Sequence, residues 1–169
     1  INACATANVG PFEIDNERAG VFIGNDSSIL AAQEQAKALS KASQTVKMPS
    51  NHFFRGINST ITTNLNAILG NLGPTMTISA TSASAAYALG LAYDQIRIGR
   101  LDMAVAGGAQ ELNWQAVAAL EAFTPFSSNP DPEQASRPFD KDRDGLVPSG
   151  GAAALFLEDY ESAKKRKAP

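Results

Sequence analysis

The 169-residue sequence contains one cysteine, one histidine and one tryptophan. A single thiol, Cys4, excludes an internal disulfide and a cysteine-based zinc site; it points to a reducing, cytoplasmic compartment and reads as a space-filling side chain. No apolar run approaches the roughly 20 residues needed to cross a bilayer, so no membrane partner is expected. The opening stretch, INACATANVG, has neither the basic start nor the apolar core of a secretory signal, and no initiator methionine. Without such a signal, the acceptor-like tripeptides at Asn25 and Asn58 carry no glycosylation argument. Positive charge is also scarce. A net charge of −3 and a pI near 5.1 leave no broad footprint for nucleic acid or anionic lipid. The one basic run, Lys164 to Lys167, follows a helix-like stretch and reads as cations favoured near a helix C-terminus. The glycines form neither G-x-G-x-x-G nor a phosphate loop.

Hydrophobic residues make up 44% of the chain and charged residues 18%, which fits one folded domain with a sizeable core. Four β-type runs bounded by glycine or polar residues can be marked: 20–24, 75–80, 103–107 and 152–157. Helix-like segments lie between them at 28–40, 59–69, 82–98 and 113–123, an alternation that predicts α/β layering. A helix already under way at 1–7 implies a preceding strand outside this sequence. Residues 43–55 and 126–138 are rich in turn formers and read as surface loops.

The segment from Ile78 to Gly90 takes a β-type run directly into a helix of small residues, ISATSASAAYALG. A helix small and apolar on every side is expected to be buried. A hydroxyl on its first turn sits among free N–H groups, where the helix dipole favours negative charge, a suitable place for a nucleophile or an oxyanion. Thr81, Ser82 and Ser84 can equally serve as N-capping residues.

This segment resembles the nucleophile turn of the β-ketoacyl–acyl carrier protein synthases, I-S-x-A-C-A-S/T, with Ser82 on the cysteine position. The resemblance runs from about Ala19 onward and is closest to the KAS I/II type. It includes Arg55-Gly56-Ile57-Asn58-Ser59, the glycine-rich turn Gly107 to Glu111, and above all Ala135 to Gly145 (ASRPFDKDRDG), followed by Ser149-Gly150-Gly151 and Leu157-Glu158. It implies a thiolase-like α/β fold: one N-terminal half, truncated at its start, as a layered mixed sheet with a buried helix bearing the nucleophile position. The C-terminal half, with two catalytic histidines and a lysine, would lie outside residues 1–169.

The acidic run opens like a calcium loop, with Asp140, Asp142, Asp144 and Gly145, but its twelfth position is Gly151 and a β-type run follows. The alternative is that these acids pair with Arg137 and Arg143 to pin a loop beside the active site. Leu146 stands where many relatives carry a gating phenylalanine of the acyl pocket. His52 lies in a loop-like stretch far before Ser82 and reads as solvated or locally bonded rather than as a base.

The resemblance implies a decarboxylative condensation of acyl and malonyl thioesters held on acyl carrier protein, without cofactor or metal. Its partners would be the carrier protein and a second synthase subunit, as a homodimer or heterodimer. Serine lacks the accessible thiolate of cysteine, and its acyl adduct is a less electrophilic oxygen ester, so condensation at Ser82 should be impaired. Three origins compete: an engineered cysteine-to-serine change, a non-catalytic partner resembling a chain-length factor, and a serine-using variant. A thiolase-like enzyme using coenzyme A is disfavoured by the Arg137 to Gly145 series.

Overall fold

The computed structural model describes residues 1–10, 16–26, 29–42 and 51–169. Strands β1 (Ala19–Gly24), β2 (Thr75–Ile78), β3 (Met103–Gln110) and β4 (Gly151–Glu158) form one sheet in the order β2-β1-β3-β4. β1 runs parallel to both neighbours, and β4 is antiparallel to β3. All four expected strands are present, with shifted ends. β2 stops at Ile78, short of the expected Ala80, where the chain turns away from the sheet. β3 continues past Gly107 because β4 pairs with it through Gly108, Ala109 and Gln110.

The helices are α1 (Asn2–Thr6), α2 (Ile29–Ala42), α3 (Asn51–Arg55), α4 (Thr60–Leu69), α5 (Ser84–Arg97), α6 (Trp114–Glu121), α7 (Pro132–Ala135) and α8 (Tyr160–Lys165). The caps explain their ends. α4 stops at Gly70, whose φ of 68° lies in the left-handed region and whose amide returns to the Asn66 carbonyl at 2.9 Å. The Asn113 side chain caps α6 by accepting the Ala116 amide at 2.8 Å.

Two stretches expected to be loops hold short helices. α3 is tied to α2 by an Arg55–Glu34 ion pair of 3.0 Å. α7 is capped by Asp131 and has Pro132 at its first position, which is favourable there because no amide partner is needed. Residues 43–50 lie outside the described residues, as does the His52 side chain.

β1 is buried along its whole length, as expected of a central parallel strand that reads as a continuous apolar run. Its alternate side chains enter two clusters. Ala19, Val21 and Ile23 join Cys4, Val9, Leu69 and Val105. Phe22 joins Ala88 and Ala92 of α5 with Leu101, Ala104 and Ala106.

The expectation of a helix buried all round is corrected here. α5 buries a single stripe, Ser84, Ala88 and Ala92, whereas Tyr87, Tyr93 and Ile98 are exposed. Its stripe has i, i+4, i+8 spacing because one sheet covers it from one side. The basic run is also more than a helix terminus. Lys164 and Lys165 end α8, but Arg166 grips the Glu158 carboxylate at 2.7 Å and donates to the Ala7 carbonyl at 2.9 Å, fastening the end of the chain to its beginning. Among the described residues no helix is long and apolar enough to cross a membrane.

Candidate functional site

The three parallel strands end on one edge of the sheet, where open α/β sheets place their ligands. There the chain leaves β2 and folds into a tight elbow before α5. The Ala83 amide donates to the Ala80 carbonyl and the Ser84 amide to the Thr81 carbonyl, both at 3.1 Å. At its apex Thr81 has φ of 49°, a left-handed conformation that a β-branched residue adopts at a cost of about 1–3 kcal/mol.

α5 begins at Ser84, so Ser82 stands on the elbow rather than on the first helical turn, and it is exposed rather than enclosed. None of the three hydroxyls caps the helix; the cap position is Ala83, without a side-chain bond. The Ser84 hydroxyl instead turns back, donating to the Thr81 carbonyl at 2.6 Å and accepting the Ala80 amide at 2.8 Å. The Ser82 hydroxyl takes no partner among the described residues. The amides of Ala85 and Ala86, in the first turn of α5, are left without backbone acceptors, as at any helix start.

Two glycines make this close approach possible. A Cβ on Gly24 would strike the backbone of Ser84 and Ala85, and one on Gly108 would come 2.6 Å from the Ala85 Cβ. The sequence motif reads Gly108 as part of a turn, but its role is to let a helix start rest directly on the strand ends.

Ser82 lines a cleft of 1210 Å³, walled by the elbow, the end of β3, one face of α6 and the segment from Leu146 to Ser149. The lining is largely apolar: Leu89, Leu112, Val117, Leu120, Phe123 and Leu155 contribute to it. The structure thus brings Ser82 and Leu146 to one cavity. Among the described residues that line it, the ionisable side chains are Asp26 and Glu111. Glu111 had no role in the sequence reading. Its carboxylate accepts from the Asn113 side chain at 2.8 Å and the Leu30 amide at 3.4 Å, holding the α6 cap and the first turn of α2 together.

Arg137, Asp140, Arg143, Asp144 and Gly145 precede Leu146 in the chain and are not among the residues that line the cleft. Asp144 is the pin: it accepts from the Ser127 hydroxyl at 2.7 Å and the Ser128 amide at 2.9 Å, and Arg137 lies 3.4 Å away. The bond from Ser127, helped by the Ser128 amide, holds the Asp144 carboxyl below its ordinary range. Arg143 departs from the expected pairing, since it donates to the backbone carbonyl of Asp140 at 2.9 Å rather than to a carboxylate. The Asp140 carboxylate accepts the Asp142 amide at 2.7 Å, a local turn. Gly145 passes so near Phe126 and Ser127 that a side chain would meet their backbone. Leu146 is then held by its amide to the Pro125 carbonyl at 3.0 Å and its carbonyl to the Ser127 amide at 2.9 Å. Among the described residues no cluster of histidine, cysteine or carboxylate suits a metal ion.

The family model for the beta-ketoacyl synthase N-terminal domain matches residues 1–163. The chain belongs to this family. It is 32% identical over 157 residues to the 3-oxoacyl-[acyl-carrier-protein] synthase 1 of Buchnera aphidicola subsp. Baizongia pistaciae, covering 91% of this chain and 39% of that protein. Its structure is similar to a chain from a type II polyketide acyl carrier protein in complex with its ketosynthase bound to the hexaketide. The TM-score is 0.86 at 29% identity, covering 98% of this chain and 43% of that one. It is also similar to a chain of the ishigamide ketosynthase/chain length factor, with TM-score 0.78, 28% identity and 98% and 40% coverage. The chain therefore spans about 40% of the length of the proteins it matches. The thiolase-like mixed α/β fold expected from the motifs is the fold of these ketosynthases.

Proposed function

We propose that this chain carries the acyl-accepting position of a β-ketoacyl–acyl carrier protein synthase, that Ser82 occupies this position, and that condensation is impaired by the serine. The carrying observation is the placement of Ser82: on a strained elbow, unpartnered among the described residues, facing the apolar cleft that Leu146 shares. In the proposed reaction, side chain 82 attacks the carbonyl of an acyl carrier protein thioester; the carrier thiol departs with the proton. Malonyl carrier protein then loses carbon dioxide, and the resulting carbanion attacks the acyl ester, freeing residue 82 and leaving a β-ketoacyl thioester.

Serine weakens both halves of this cycle. Its hydroxyl needs a base, and among the described cleft residues there is no imidazole or amine to serve. By resemblance, the histidines that complete the site belong to the family's C-terminal half. No cofactor or metal enters this chemistry, the protein is placed in the cytoplasm, and Leu146 forms part of the acyl gate.

The test is condensation by the full-length protein with acyl and malonyl carrier protein substrates. Ser82→Cys should condense them, and the serine form should be slower by roughly 10²- to 10⁴-fold, because a hydroxyl, unlike a thiolate, depends on proton transfer during its attack. If Ser82→Cys restores nothing, a second reading takes over: a non-catalytic partner like a chain-length factor. The serine itself favours that reading, together with the likeness to the ketosynthase/chain length factor.

Either reading pairs the protein with a second subunit. The open face of α5, with Tyr87 64% and Tyr93 57% exposed, predicts dimers or aggregates of this chain by light scattering. A clean monomer counts against that.

A further inference from the structure

We propose that Ser84 is a positioning residue for side chain 82: its hydroxyl is a latch that keeps the elbow turned toward the cleft. The inference rests on reading residue 82 as the acyl acceptor.

Ser84 is 6% exposed, and both of its hydroxyl bonds go backward along the chain, to the Ala80 amide and the Thr81 carbonyl. Neither bond supports α5. A serine at a helix start ordinarily satisfies free amides ahead of it; here the position before it, Ala83, has no side-chain bond, and the amides of Ala85 and Ala86 remain open. The hydroxyl is therefore spent on the elbow, bracketing the single residue there with a left-handed backbone, Thr81.

A β-branched residue leaves that conformation unless its neighbours hold it. Without the hydroxyl, the half-buried Ala80 amide loses its acceptor, Thr81 can relax, and residue 82 swings away from the open amides of the first helical turn. Those amides are what would stabilise negative charge on the atom at 82. The latch thus acts on charge at residue 82 without touching substrate.

The test uses a single-thiol chain, Cys4→Ala with Ser82→Cys, and the pH dependence of its alkylation by iodoacetamide. Expected is a midpoint below the value of about 8.5 for a free thiol. Adding Ser84→Ala should raise the midpoint by about one unit and slow alkylation at pH 7 by about tenfold, with an unchanged circular dichroism spectrum. Ser84→Thr, which keeps the hydroxyl, should retain the low midpoint, and Ser84→Val, the same shape without it, should not. The Thr and Val pair decides the matter even if Ser84→Ala folds poorly. A depressed midpoint that survives Ser84→Val overturns the latch alone. A free-thiol midpoint in the Ser82→Cys chain with Ser84 intact overturns the acceptor reading, and the latch with it.

Discussion

The two faces of the sheet are built on opposite principles. One face is filled by branched side chains, Val21, Ile23, Leu69 and Val105, beneath α1 and α4. The other is lined mainly by small residues: apart from Phe22 and Leu101 its fully buried members are alanines, with Leu89, Leu91 and Ile96 of α5 packed partly buried against them, and α5 comes down on Gly24 and Gly108 at backbone distance. The first face contributes stability through buried volume. The second gives up volume for proximity, and proximity sets Ser82 over the strand ends. The molecule therefore separates the part that holds it together from the part that aims a side chain.

That comparison can be broken by changing volume on each face. Leu69→Ala, at a site 6% exposed, should cost about 2–5 kcal/mol in urea unfolding, as cavity-forming changes do. On the α5 face the sign of the change reverses. Gly24→Ala adds one methyl where the Ser84 and Ala85 backbone already sits, and should cost about 1–3 kcal/mol. It should also displace the elbow, so that alkylation of a Ser82→Cys chain slows, while Leu69→Ala leaves that rate alone. Equal tolerance of Gly24→Ala and an exposed substitution would show that α5 is free to lift, and the contrast between faces would be lost.

Among the described residues the first face has a further closure. Arg166 holds Glu158, whose side chain is 7% exposed, and reaches the Ala7 carbonyl that follows α1. Arg166→Ala leaves a nearly buried carboxylate unpaired and should cost about 1–3 kcal/mol. The loss should be read out as early hydrogen exchange in residues 1–10, with no change at the elbow. Exchange that spreads first through α5 would instead tie the two faces together.

Much of this was legible in the chain. The strands could be marked because GVFIG and MAVAG are short apolar runs flanked by glycine and polar residues, and the family motifs single out Ser82 and Leu146, which the fold brings to one cleft. What escaped depends on contacts distant in sequence. That β3 extends to Gln110 follows from its pairing with β4, about 40 residues later. The backward turn of the Ser84 hydroxyl follows from the shape of the elbow, since serine at a helix start has capping as its local preference. Glu111 ends the glycine-rich motif, but its role between α2 and α6 depends on Leu30 and Asn113, which the motif does not contain. Arg166 sat inside a basic run whose local reading was sufficient by itself, and only the fold brings Ala7 beside it. The open face of α5 escaped because composition reports that a helix can be buried, not how many neighbours cover it.

The smallest effect concerns charge, and it sharpens the contrast by leaving both faces untouched. Neither core cluster contains a carboxylate. The cleft wall does depend on one: Asp144 holds Ser127 and Ser128 beside Leu146, and the bond from Ser127 keeps its pKa below the ordinary range. A carboxyl with a folded pKa lower than its unfolded value contributes stability that is fully present above about pH 4, and that contribution is lost as pH falls through the folded pKa. Asp144→Asn should thus be slightly less stable than the native chain at pH 7, and the difference should narrow as pH falls through the lowered folded pKa of Asp144. Arg18 acts likewise on Asp102 through a direct bond at the start of β3, so the Asp144→Asn variant keeps some acid sensitivity of its own. Urea midpoints of the two proteins measured across this range decide it: parallel curves at every pH mean that Asp144 is not the pin, and Leu146 must then be held by its backbone bonds alone.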